Sequence, residues 1–411
     1  MQPKQSPLRA VVHPLTGVFL PVTLLLLLAT TAPAQTLTVL HNFSGADGNS
    51  PYAGVTFDQQ GRIYGTTCYG GSNQDGAVYR LVHEGEGWVS SPIYSFGPPQ
   101  SEDGSGPLAR VVFGPDGLLY GTTGGGGTTG SGTVFSLRPP ATACKTALCP
   151  WVETVLHNFT FFDGYEPGYG DLVFDQAGNI YGTTFNGGGS GAFGNVFKLT
   201  RSGSGWTFSV LWSFIDDGGG VGPAGGVIFD NAGNLYGTTS LGGAHDNGTV
   251  YELSPTQSGW TLTTLYSFTN SDGEGSGSLF LGAQGDLFGI AGLFATGSAF
   301  EMTQQNGAWS YQSLQTFAGV LNNGPVAAPT FDAQGNFYGP LPTGGSSQEG
   351  EIFKLTPSGD RWIYTPFYQF DSCTNGCNPY GTVIFDANGN MYGTTAVGGT
   401  HRDGTVWEIT P

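Results

Sequence analysis

The chain has 411 residues, 30 acidic against 12 basic side chains, a formal charge of −18 and 71 glycines. So acidic a composition, with only 10% of residues charged, argues against nucleic acid and anionic membranes as partners. No long stretch carries a helical period, which argues against a helical protein.

Residues 1–34 read as a secretory signal. Lys4 and Arg9 form a positive start, residues 18–29 are apolar with five leucines at 24–28, and Ala32-Pro33-Ala34 fits a small-residue cleavage site. The apolar run is short for a membrane span, and an uncleaved anchor is the alternative. No second run is long enough to cross, so the expected product is secreted or held in the cell envelope, with residues 35–411 forming one domain.

From there the chain repeats. Phe229-Asp230-Asn231-Ala232-Gly233-Asn234-Leu235-Tyr236-Gly237-Thr238-Thr239 recurs clearly at 57–67, 113–123, 174–184 and 385–395. Two degraded copies start at Leu281 and Phe331, where Ile290-Ala291 and Pro340-Leu341 replace Thr-Thr. The aromatic position falls at Tyr64, Tyr120, Tyr181, Tyr236, Phe288, Tyr338 and Tyr392, in steps of 50 to 61 residues. A period of that length signals a repeat architecture.

Each unit reads as four short strands. In the fourth unit these are 226–229, 235–239, 249–253 and 260–268, separated by a tight Asp-x-x-Gly turn, a Gly242-Gly243 loop and a Ser-Gly loop. The expected fold is therefore all-β, a seven-bladed β-propeller with four-stranded blades. The small residues of Tyr-Gly-Thr-Thr are expected to allow close contact between sheets. The fourth strand closes on a recurring ending, such as Leu265-Tyr266-Ser267-Phe268. The seventh unit lacks it, and the missing piece stands at the front as Leu40-His41-Asn42-Phe43. The N-terminal strand, 36–43, is thus expected to complete the last blade and close the ring, which limits exposed edges.

Taken together, F-D-x-x-G-N-[LI]-Y-G-T-T, then G-G, G-T-V-[YF]-x-L, G-W and L-[YHW]-[SN]-F resemble the Gloeo-Verruco (GloVer) tandem repeat. The match runs over about 36–411 and is weakest in units 5 and 6. The resemblance implies an exported bacterial protein and supplies no activity. The strand order is also similar to gluconolactonase-type propellers.

Propeller connectivity puts the blade-to-blade loops and the second-to-third-strand loops on one face. That face gathers acids: Asp47, Asp103, Asp163, Asp217, Asp272 and Asp371 in the former, Asp246 and Asp403 in the latter. Either they terminate strands by bonding turn backbone, or they ring the channel mouth and bind a cation such as Ca²⁺ or a polyhydroxyl ligand. His245 and His401 beside Asp246 and Asp403 are sparse metal candidates. Cys144 with Cys149, and Cys373 with Cys377, are expected to form loop disulfides; zinc is the competing reading. Cys68 is left over and reads as a small buried residue.

No nucleophile elbow, HExxH or phosphate loop occurs. The expected function is a monomeric binding module for carbohydrate or cell-surface protein. The alternatives are a propeller lyase or hydrolase acting on polysaccharide or lactone, and a structural envelope protein. Close carboxylates in the mouth would favour an enzyme; a mouth lined by aromatics with isolated acids would favour binding.

Overall fold

The computed structural model describes residues 35–97, 102–140, 150–203, 205–275, 277–292, 296–318 and 327–411. The expected signal segment and the Cys144/Cys149 pair lie outside the described residues.

Seven antiparallel four-stranded sheets form a seven-bladed β-propeller. Blade 4 shows the plan: Ile228–Phe229, Leu235–Thr239, Thr249–Thr256 and Gly259–Ser267, hydrogen-bonded in chain order. Blade 7 is built from Ile384–Phe385, Met391–Thr395 and Thr405–Thr410, and its fourth strand is Thr36–Asn42 from the other end of the chain. Thr36 pairs with Thr410 and Asn42 with Thr405, so the ring closes as the missing ending of unit 7 implies.

The glycine of Tyr-Gly-Thr-Thr makes room within its own blade, and in blade 6 Gly339 also admits Ile290 of blade 5. In every blade it stands directly opposite the bulky aromatic of the third strand: Gly65 opposite Tyr79, Gly237 opposite Tyr251, Gly393 opposite Trp407. The far end of the ring fills the space over the glycine. A Cβ on Gly237 would run into the Tyr251 hydroxyl, and one on Gly393 into the Trp407 ring. These aromatics are fully buried.

The two threonines do different work. The first crosses the seam: Thr66, Thr183 and Thr238 donate to the carbonyls of Ala109, Gly225 and Gly277, just ahead of the next blade's inner strand. The second pairs within its blade, as Thr239 with Thr249 and Thr395 with Thr405. In blade 5, Ile290 replaces the first and joins the apolar seam with blade 6. In blade 6, Leu341 and a buried Glu351 replace the threonine pair, and Tyr364 and Gln369 satisfy the carboxylate.

Apolar clusters fill all seven seams between blades, including the one joining blades 7 and 1 around Leu40, Phe43, Val55, Tyr79 and Val406. The phenylalanine ending each fourth-strand motif is buried in each, a burial worth about 1.5–3 kcal/mol. A bulge at the same step of every third-fourth pairing, for example between Val250 and Tyr251, skips one residue of the fourth strand. The slip re-aims the strand tip, so that Leu265 joins the seam and Tyr266 turns toward the loop that follows.

A backbone clamp adds to the seams. The N–H of Ser50, Gly106, Glu166, Gly222 and Asn378 donates to the carbonyl of Asp403, Asp75, Ser131, Phe193 and Glu349 in the preceding blade. The same residues accept, at their carbonyls, from the end of their own blade's second strand. All five are left-handed, with φ between 56° and 64°, and each precedes a proline.

Candidate functional site

On the face opposite the mouth, the Asp-x-x-Gly aspartates are turn-holders. Asp230 Oδ1 accepts the N–H of Ala232 and Asn234, while Oδ2 accepts from Asn234 Nδ2 and the Tyr236 hydroxyl. Asp175, Asp332 and Asp386 repeat the pattern.

The acids of the mouth face are mostly engaged by the fourth-strand tip that precedes them. The His41 ring lies 2.7 Å from Asp47, and the His157 ring 3.1 Å from Asp163. The hydroxyls of Tyr94 and Tyr266 donate to Asp103 and Asp272 at 2.9 and 2.8 Å. Loop N–H groups of Ser44, Gly97, Thr160 and Thr269 add a second bond to each. Burial raises the Asp47 pKa, but the His41 and Ser44 contacts outweigh it and leave it below the usual carboxylate range. His157 is lowered by burial against the opposing pull of Asp163. Asp217 accepts only the nearby Gly219 N–H and is exposed, as is Asp371.

His245 and His401 are exposed. Asp246 accepts the Gly242 N–H, and Asp403 is held by Asn49 Nδ2 at 2.8 Å across the blade 7–1 seam. Among the described residues, the one group of three metal-ligand side chains drawn together is Glu349, Cys373 and Cys377. There the two cysteines form a disulfide, which withholds both thiolates. Cys68 is buried and free, and burial pushes its thiol up to about 11, the state of an inert rather than a nucleophilic cysteine.

One carboxylate pair is close. The Tyr94 hydroxyl lies 2.9 Å from Asp103 Oδ2 and 3.1 Å from Glu153 Oε2. A single hydroxyl proton cannot serve both, so the second contact is complete only when Glu153 carries a proton. Burial, with the charge of Asp103, pushes Glu153 up to about 8. The group joins the outer strands of blades 1 and 2, away from the channel.

At the centre of the ring the inner strands close in. The residues at one step of these strands pair across seams: the Arg110 backbone N–H and Nε donate to Asp171 at 3.0 and 2.7 Å, the Gly226 N–H to Ser278, and the Ala328 N–H to Thr382. Gly54, the seventh, lies against Thr382, whose carbonyl a Cβ would strike. This collar leaves a cavity of about 30 Å³, room for roughly one water. The space enclosed at the collar is therefore too small for a sugar ring.

Above it, the mouth is aromatic. Tyr52, Tyr169 and Tyr380 line it. Tyr52 and Tyr380 pack with ring centres 5.3 Å apart, and Tyr169 packs on Phe185 at the same distance. Tyr69, 54% exposed, follows the second strand of blade 1, and Phe161 and Phe162 stand 59% and 78% exposed on the loop that carries Tyr165. Glu166 lies on that loop with its carboxylate held by Asn186 Nδ2 at 3.0 Å. Its charge, ahead of burial, raises the Tyr165 phenol; burial and then Glu166 raise Tyr169, with lesser contributions from Cys68, Tyr165 and Tyr69. These groups therefore share one patch, contributed by blades 1, 3 and 7.

The repeat pattern draws the eye to the acids of this face and not to these tyrosines. A signal was present: Pro51-Tyr52 and Pro379-Tyr380 occupy the same step of two units, and Pro167 stands two before Tyr169.

Two solved structures share the broad outline. One is a putative gluconolactonase (13% identity, 92% of each chain covered, TM-score 0.42). The other is a putative oxidoreductase, glucose dehydrogenase, from Thermus thermophilus (15% identity, 92% of this chain and 100% of the other, TM-score 0.45). Neither likeness bears on the chemistry of this chain. No curated protein matches it. The Gloeobacter/Verrucomicrobia repeat matches three times, over residues 27–149, 148–330 and 292–411, and the chain belongs to that repeat family.

Proposed function

We propose that this protein is an exported, monomeric carbohydrate-binding propeller that takes its ligand at the tyrosine-lined mouth. The observation that carries the reading is the mouth itself: Tyr52, Tyr69, Tyr169 and Tyr380 gathered above a collar whose enclosed space is too small for a sugar ring. Flat rings with a polar edge stack on the apolar faces of sugar rings while their hydroxyls bond to the sugar's own. Exposed aromatics on this face are not needed for the fold, and clustered exposure of that kind marks interaction surfaces. The Cys373–Cys377 disulfide fits an oxidising compartment. Because Asp47, Asp103, Asp163 and Asp272 already have protein donors, binding is expected not to need calcium. The test is titration of glycans against Tyr69→Ala and Tyr380→Ala, with Asp217→Asn as control. Loss of affinity in the tyrosine variants alone supports the reading; loss only in the control overturns it.

A hydrolase or lyase is the second reading, favoured by the Tyr94, Asp103 and Glu153 group. One carboxylate kept protonated beside another is the asymmetry that acid–base chemistry uses. Release of products, abolished by Glu153→Gln, would establish it.

A further inference from the structure

The left-handed step that clamps each blade to its predecessor is filled by residues that suit it or tolerate it cheaply. Gly106 and Gly222 carry no side chain, and Ser50 and Asn378 are short and polar. Blade 3 places Glu166 there, at φ 56°. Among these five clamp residues it is the one that carries a charge, although Glu102 and Arg402 adopt the same backbone conformation elsewhere. The Glu166 carboxylate lies in the aromatic patch, beside Tyr165 and Tyr169. It is held by neutral donors, Asn186 Nδ2 and the Tyr165 hydroxyl. It takes part in none of the ion pairs among the described residues. The arginine of the channel, Arg110, is already neutralised by Asp171. Glu166 is therefore a carboxylate without a cationic partner beside tyrosine rings, on a face whose exposed Asp217 and Asp371 lack one too and on a protein that is itself strongly acidic.

A carboxylate among aromatic faces is the arrangement that favours a cation. The rings attract positive charge through their quadrupole, and the carboxylate adds a charge-assisted hydrogen bond. An anionic glycan would meet repulsion here, and a neutral one would offer hydroxyl donors but no opposite charge. We propose that Glu166 is the specificity-determining residue of the mouth and selects glycans that carry free ammonium groups, such as oligomers of de-N-acetylated hexosamine. This rests on the carbohydrate-binding reading, whose site it shares.

The test is calorimetric titration of the full chain with glucosamine hexamer and with N-acetylglucosamine hexamer, at a pH where the amines are protonated. Wild type, Glu166→Gln and Tyr69→Ala are compared, with thermal melting to show that each is folded. Glu166→Gln keeps the size and the backbone conformation and removes only the charge. The expected result is a preference of about tenfold or more for the glucosamine hexamer. That preference disappears in Glu166→Gln, while affinity for the acetylated hexamer stays the same. Tyr69→Ala weakens both. If the two hexamers bind wild type equally, or Glu166→Gln keeps the preference, the selectivity is overturned; in that case weakening of both by Tyr69→Ala leaves the binding reading standing. If neither hexamer binds, the selectivity is overturned, and a panel of neutral polysaccharides then decides the binding reading separately.

Discussion

The hydroxyl of Thr394 donates to the carbonyl of Ala53 at 2.7 Å, joining residues 341 positions apart. It is the same seam bond that Thr238 makes to Gly277 within consecutive blades, so the junction between chain ends is an ordinary seam. Ring closure therefore depends on Thr36–Asn42 entering blade 7. Deleting residues 36–43 removes that strand together with the buried Leu40 and Phe43, and is expected to abolish the single cooperative melting transition. An unchanged transition would contradict closure by strand exchange.

The pairing of glycine with a third-strand aromatic predicts a steric penalty. Gly237→Ala drives a methyl into the buried Tyr251 ring and should cost about 1–3 kcal/mol, the usual scale of overpacking. Gly233→Ala meets no atom within 4 Å but sits at φ 89°, so its cost arises from the backbone alone. Adding Tyr251→Leu should recover part of the loss in the first variant and none in the second. Urea titration of the single and double variants checks this.

The first threonine of the motif offers a contrast. Thr238 is buried and bonded across the seam, whereas the Thr122 hydroxyl is buried without a partner. Thr238→Val should cost about 1–2 kcal/mol, because a buried carbonyl loses its donor. Thr122→Val should be neutral or stabilising. Equal losses in the two variants would show that the seam bond contributes nothing.

Glu153 gives the stability a pH dependence. Its folded pKa is raised from 4.5 to about 8, first by burial and then by Asp103. A raised value means that the folded state holds the proton more tightly. The contribution is full below about 4.5 and is lost as the pH rises through about 8. Glu153→Gln, which cannot ionise, should therefore melt higher than wild type above pH 8 and gain little in acid. A variant less stable at high pH would reverse the assignment.

Most of the fold was legible because repetition averages out local ambiguity. The strand 235–239 is where the sequence places it, and the ending Leu-His-Asn-Phe at the front of the chain revealed the closing strand before any geometry. What pairing register alone reveals stayed hidden: nothing in Tyr-Gly-Thr-Thr says that Gly237 faces Tyr251, since the partner is set by the loop between them. The bulge that turns His41 toward Asp47 is equally silent, so strand-terminating acids and a charged ring could not be told apart. The mouth was obscured for a different reason. Tyr169 and Glu166 depart from the repeat, and a consensus discards what only one blade does.

The central claim is that the tyrosine mouth binds carbohydrate without altering it. The most direct measurement incubates the protein with a panel of polysaccharides and oligosaccharides, with calcium and with chelator, and follows both depletion of glycan and appearance of products by chromatography. The account predicts depletion of at least one glycan, unaffected by chelator, with no new product. New products would contradict it and move the function to the carboxylates beside Tyr94; no depletion of any glycan would contradict it outright.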